Sequence, residues 1–172
     1  MYVVADSEDE LVMSRLIDEH GKDLFRLCCM CLRDTYLAED AVQETFLRAF
    51  KALGGFRGES SERTWLVRIA VNVCRSMRAS AWFRHVDRRV TLDELPLTVE
   101  GMPDGNIALL SEVMNLPRKE REAVWLYYYE DMKLREIAQV LGVTTPAVSI
   151  RLSRAREKLR KALMEGGEEQ HG

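Results

Sequence analysis

Leu134-Arg135-Glu136-Ile137-Ala138-Gln139-Val140-Leu141-Gly142-Val143-Thr144-Thr145-Pro146-Ala147-Val148 has the spacing of two short helices joined by a tight turn. Ala138 is small where two such helices would cross, and Gly142 supplies the positive φ of the turn at no steric cost. Ile137, Leu141, Val143, Val148 and Leu152 would fill the small core between them. Thr144 or Thr145 is placed to cap the second helix, and Pro146 falls near its first position, where a missing N–H is harmless. This is the pattern of a helix-turn-helix, whose second helix starts where the base edges of duplex DNA are met.

Downstream, Val148, Leu152, Ala155 and Leu159 turn inward at helical spacing, which leaves Ser149, Ile150, Ser153 and Arg154 turned outward as base-reading candidates. With Thr145 and Pro146 at the helix start, they form a candidate duplex-DNA surface. Arg151, Arg156, Lys158, Arg160 and Lys161 would add phosphate contacts, which set register and salt dependence without carrying sequence information. The alternative is an ordinary helical hairpin with a solvated basic face.

Upstream, Ile107, Leu110, Val113 and Met114 predict one short helix. Pro117, at a first helical position, opens another that runs through Val124, Leu126 and Tyr127. Between about residues 81 and 106 periodicity fades, and Pro96, Gly101, Pro103 and Gly105 with five acidic residues mark a flexible acidic linker.

The front of the chain reads as a small bundle. Apolar residues from Leu11 through Leu16, Ile17, Leu24, Phe25, Leu27, Cys28 and Cys31 recur at helical spacing, with Gly21 offering a break and Asp34-Thr35 a cap. Ala38, Ala41, Val42, Phe46, Ala49, Phe50 and Leu53 predict one face of a second helix, ended by Gly54-Gly55. A serine cap then leads into a third helix from about Glu62 to Ala79, with Leu66, Ile69, Ala70, Val73 and Met77 as its apolar stripe. No stretch alternates with period two, so the expected fold is all-α: two small helical domains, 1–80 and 107–172, joined by the 81–106 linker, the second a helix-turn-helix domain.

Two polar stripes in the front half suggest function. On the second helix Asp40, Gln43, Glu44, Leu47, Arg48 and Lys51 lie opposite the core face, and a leucine among charges suggests a partner surface, though single exposed leucines are common. On the third, Trp65, Arg68, Asn72 and Arg75 share one stripe. A ring to stack on, an amide for a base edge and two cations for phosphate suit unstacked single-stranded bases. A Trp at helical spacing is, however, more often core.

The net charge of −3 hides strong segregation. Residues 1–55 hold 6 basic and 11 acidic side chains, 56–89 hold 8 and 3, 90–111 none and 4, and 112–172 hold 11 and 10. Two basic blocks, Arg57 to Arg89 and Arg151 to Lys161, therefore flank an acidic stretch, the layout of two phosphate-facing surfaces. The acidic start from Asp6 to Glu10 is unlike a secretory signal, and no apolar run approaches a membrane span. Cys28, Cys29, Cys31 and Cys74 lack paired metal-site spacing and read as reduced core thiols of a cytoplasmic protein. His20, His85 and His171 are scattered, with no acid, nucleophile or phosphate-loop pattern beside them, so neither catalysis nor a metal or other cofactor is expected.

Several runs resemble the extracytoplasmic-function sigma factors of the sigma-70 family. Ala38-Glu39-Asp40-Ala41-Val42-Gln43-Glu44-Thr45-Phe46-Leu47-Arg48-Ala49-Phe50, then Phe56-Arg57-Gly58-Glu59-Ser60 and Thr64 to Asn72, are similar to their second conserved region. Leu116-Pro117-Arg118-Lys119-Glu120-Arg121-Glu122 and the helix-turn-helix through Arg154-Ala155-Arg156 are similar to their fourth. The resemblance implies a subunit that lends promoter recognition to core RNA polymerase. It implies that Asp40, Gln43, Glu44, Leu47 and Arg48 dock on the clamp helices of the β′ subunit. Phe56, Arg57 and Ser60, with Trp65, Arg68, Asn72 and Arg75, would take the single-stranded −10 element, one base being flipped out. Thr145, Pro146, Ser149, Ile150, Arg151, Ser153, Arg154, Arg156 and Lys158 would read the −35 duplex, near the β flap. The acidic linker would thread toward the RNA exit path, and an anti-sigma factor is an expected partner. A stand-alone helix-turn-helix regulator is the second reading; the Phe-Arg-Gly loop and the Trp-to-Asn stripe weigh against it.

Overall fold

In the computed structural model the described residues are 4–80 and 107–169. The expected linker, 81–106, lies outside them. The chain divides into two compact units, Met1–Pro96 and Leu97–Gly172. Among the described residues every regular element is helical, as the all-α reading requires, and no helix is long and apolar enough to cross a membrane.

In the first unit, α1 (Val4–Leu32), α2 (Thr35–Ala52) and α3 (Glu62–Ala79) pack pairwise on one another. α1 runs unbroken through Gly21, where the sequence offered a break. A glycine costs a helix interior about 1 kcal/mol, which burial of Leu16, Leu24 and Leu27 on either side offsets. Leu11 and Ile17, expected on the core stripe, are 70% and 46% exposed, because only one stripe of α1 faces its two partners. Asp34 ends the connection to α2, its carboxylate accepting the Leu37 N–H at 2.9 Å.

α2 buries Leu37, Ala38, Ala41, Thr45, Phe46 and Ala49. Thr45 is accommodated because its hydroxyl donates to the Ala41 carbonyl at 2.6 Å. Phe50, expected inside, is 43% exposed; it lies toward the end of α2, at the edge of the buried arc. The helix tightens into a 3-10 turn at Leu53–Gly55. Ser61 then caps α3, accepting the Thr64 N–H at 3.0 Å. α3 buries Leu66, Val67, Ala70, Val71, Val73 and Cys74, while Ile69 and Met77 from the expected stripe are only half-buried. The wider stripe follows from packing against both α1 and α2. All four cysteines are buried and none of them forms a disulfide.

The second unit comprises α4 (Ile107–Asn115), α5 (Arg118–Val124) continuing into a π turn (Trp125–Tyr129), α6 (Leu134–Leu141) and α7 (Thr145–Glu169). Pro117 sits one position earlier than expected, just outside α5 with ψ at 143°. Buried Arg121 donates to the Met114 and Leu116 carbonyls, both at 3.3 Å, satisfying acceptors that the end of α4 leaves open. α7 is the hub on which α4, α5 and α6 all pack, with Leu110, Met114, Leu126, Ile137 and Leu152 at the centre.

Candidate nucleic-acid and partner interfaces

The helix-turn-helix forms where the sequence places it. Gly142 adopts φ 66° and ψ 36°, the left-handed region. The turn is locked by Val143 N–H donating to the Ala138 carbonyl at 3.0 Å and Gly142 N–H to that of Gln139 at 3.4 Å. On its far side Thr144, not Thr145, is the cap: its hydroxyl accepts the Ala147 N–H at 3.3 Å. Thr145 and Pro146 therefore open α7 as its first two residues, both exposed. On the near side Glu136 reaches back to accept the Lys133 N–H at 2.9 Å.

On α7, Val148, Leu152 and Ala155 are buried. Ser149, Ile150, Ser153 and Arg154 are exposed, Ile150 at 50%, and Arg151 is half-buried. Arg156 and Lys158 differ from the rest. Arg156 Nε donates to the Tyr128 hydroxyl at 2.8 Å, and its guanidinium lies 5.6 Å from the Tyr127 ring centre and 5.7 Å from that of Tyr128. Lys158 Nζ meets both carboxylate oxygens of buried Glu120, at 2.8 and 2.9 Å. Both side chains flank the buried stripe and turn back on their own domain.

In the first unit, a cleft of about 560 Å³ opens between the end of α2, the following loop and α3. Phe56, Arg57, Ser60, Trp65 and Arg68 line it together. Phe56 stacks on Trp65 with ring centres 4.6 Å apart, so the aromatic pair forms one wall. Gly58, at φ 73°, lets the loop turn. Lys51 and Glu59 also line the cleft. Helical spacing alone puts Lys51 on the outer face of α2, and no local signal marks either Lys51 or Glu59 as a cleft residue. Asn72 is exposed further along α3 and Arg75 is half-buried; neither lines the cleft.

The outer face of α2 carries Asp40, Gln43, Leu47 and Arg48, all exposed, with Glu44 half-buried. Glu44 and Arg48 pair at 2.9 Å. Tyr36 at 80% and Phe50 at 43% exposure extend this face at both ends, so Leu47, 57% exposed, is one of three apolar residues there.

The two units thus define an all-helical protein with a helix-turn-helix in one unit and a basic, aromatic cleft in the other. The family model described as Sigma-70 region 2 matches residues 16–94, and that described as Sigma-70, region 4, matches residues 106–159. SigM of Mycobacterium tuberculosis, an ECF RNA polymerase sigma factor, is 31% identical over 158 residues, covering 90% of this chain and 79% of that protein. SigW of Bacillus subtilis, also an ECF RNA polymerase sigma factor, is 28% identical over 169 residues, covering 90% of each. Among solved structures, CnrH in complex with the cytosolic domain of CnrY superposes with a TM-score of 0.65 at 29% identity, covering 91% of this chain and 90% of CnrH. The sigma factor RpoE of Bartonella quintana, in complex with the anti-sigma factor NepR, shares the fold with a TM-score of 0.67 at 19% identity, over 88% and 96% of the two chains. The chain belongs to the extracytoplasmic-function family of RNA polymerase sigma factors. It binds core RNA polymerase and directs promoter-specific initiation of transcription.

Proposed function

We propose a division of labour in which the first unit, residues 1–80, holds polymerase and captures the −10 element, and the second, residues 107–172, reads the −35 duplex. The observation that carries it is the locked turn at Gly142, which leaves Ser149, Ile150, Ser153 and Arg154 exposed on the helix that follows. Thr145, Pro146 and Arg151 lie at the start and flank of that helix, where phosphates pass. The exposed face from Asp40 to Arg48, with Tyr36 and Phe50, docks on the β′ clamp helices. The stacked Phe56–Trp65 pair, with Arg57, Ser60 and Arg68, accepts a base turned out of the −10 strand, which then passes Asn72 and Arg75.

The protein supplies recognition and polymerase supplies the chemistry. Residues 81–106 serve as the connector between the two readings. The solved relatives were captured with the cytosolic domain of CnrY and with NepR, which supports an anti-sigma partner for this chain and action in the cytoplasm.

Reconstitution with purified core RNA polymerase, followed by sequencing of transcript starts on genomic DNA, tests the assignment. Leu47→Asp should abolish the complex, whereas Asn72→Ala should preserve it and lower initiation. Arg154→Ala should cost about 1–3 kcal/mol and relax preference at one −35 position. A complex intact in Leu47→Asp, or a uniform loss over all sequences in Arg154→Ala, would refute the corresponding role.

A further inference from the structure

α7 carries six basic side chains, Arg151, Arg154, Arg156, Lys158, Arg160 and Lys161. Ser149, Ile150, Ser153 and Arg154 occupy the outer arc, while Arg156 lies beside the buried Ala155. What meets Arg156 is the π turn. There the helix widens, with Glu130 N–H donating to the Trp125 carbonyl at 3.2 Å and Met132 N–H to that of Leu126 at 3.0 Å. Trp125 stacks on Tyr129 at 4.3 Å and its indole N–H donates to buried Glu130 at 3.3 Å, which anchors the turn to the core. Two neighbouring rings, Tyr127 and Tyr128, then stand edge-to-face, 4.8 Å apart at 80°. The Arg156 guanidinium lies against both and donates to the Tyr128 hydroxyl.

We propose that Arg156 is a positioning residue, clamped by Tyr127 and Tyr128, which sets the orientation of α7 toward DNA and does not itself neutralise a phosphate. The inference rests on the reading of α7 as the helix that meets duplex DNA. Arginine suits the task because its planar cation both stacks on rings and donates a directed hydrogen bond, which a lysine ammonium cannot do together. A helix held at one flank near its midpoint presents its outer residues at a defined angle. Loss of the clamp therefore blurs several base positions at once, whereas loss of a phosphate contact weakens all sequences alike and reduces the salt dependence.

The test uses holoenzyme reconstituted from the full chain and core polymerase. The probe is a labelled duplex that the wild-type holoenzyme selects from a pool randomised across the upstream element. Arg156→Gln, Arg156→Lys and Tyr128→Phe are compared by affinity, by base preference at each position, and by the slope of log affinity against log salt. All three should lose about three- to tenfold in affinity and broaden preference at several positions, with the salt slope unchanged. Arg156→Lys should fail as Arg156→Gln does, although it keeps the charge. The proposal is overturned if Arg156→Lys behaves as wild type, if Arg156→Gln reduces the slope by about 0.9, or if all three variants match wild type. Should the wild-type holoenzyme select no upstream element, the reading of α7 as a DNA helix falls first, and that result is visible before any variant is made.

Discussion

Arg15 of α1 grips Glu62, the first residue of α3, with two parallel hydrogen bonds of 2.9 Å, one to each carboxylate oxygen. It also reaches Glu19 on its own helix at 3.2 Å. The fork ties two helices whose partners are 47 residues apart in the chain, and it holds a carboxylate at the positive end of α3. The hydrogen bonds from Arg15 keep the Glu62 carboxyl below its usual 4.5. A depressed carboxylate contributes stability above its unfolded value, and that contribution disappears as pH falls through the folded value.

Glu62→Gln should therefore lower the melting temperature by a few degrees at most near neutral pH, since the pair is largely exposed. The deficit should vanish as the medium is acidified below about pH 4. Thermal melts followed by circular dichroism across that range check it; a deficit that persists in acid would mean that something other than the ion pair was lost.

Gly142 holds the turn before α7 in a left-handed conformation that a side chain resists. Gly142→Ala should cost about 1–2 kcal/mol, read by urea denaturation. Gly55 is not at positive φ, and nothing lies within 4 Å of where its Cβ would be. Gly55→Ala is thus the matched control and should leave stability almost unchanged. Equal losses at both positions would show that conformational strain is not the cause at Gly142.

The thiols should be silent while the first unit is folded. All four are buried, burial pushes Cys29 from 9.0 up to about 12, and Cys74 is raised by its hydrogen bond with Cys28 and by burial. A thiol reagent at pH 8 should label none of them rapidly in native protein and all four in denaturant. Because Cys29 and Cys74 stay protonated in the folded chain while the unfolded chain ionises from about pH 9, stability should decline as pH rises beyond that point. Fast labelling of one cysteine in native protein would place it outside the core.

Much of this fold was legible because its signals are local. Asp34, Ser61 and Thr144 each cap a helix by bonding an N–H three residues ahead, so residue type and position marked where each helix starts, although the choice between Thr144 and Thr145 fell to the structure. Gly142 was legible for the same reason: the turn demands its backbone freedom whatever surrounds it. The base-reading candidates followed from helical period alone, and Ser149, Ile150, Ser153 and Arg154 are exposed as that period requires.

Other features depend on which surfaces meet. Phe50 reads as core by spacing, yet it is exposed, because the buried arc of α2 is set by how α1 and α3 press on it. Glu120, Arg121, Glu122 and Glu130 carry charge, yet all four are buried in the second unit; paired or hydrogen-bonded charge can enter a core where bare charge cannot.

What the sequence by itself determined is the set of helices, their caps, the tight turn and the identity of the two basic surfaces, since each depends on neighbours within a turn or two. Only the tertiary structure decided which of those basic residues are engaged by partners within their own unit. Arg156 and Lys158 look the same as Arg154 along the chain, but Tyr128 and Glu120 lie 28 and 38 residues away from them. Packing α5 and its π turn against α7 brings those partners within hydrogen-bond reach, and no periodicity in a single helix encodes that meeting.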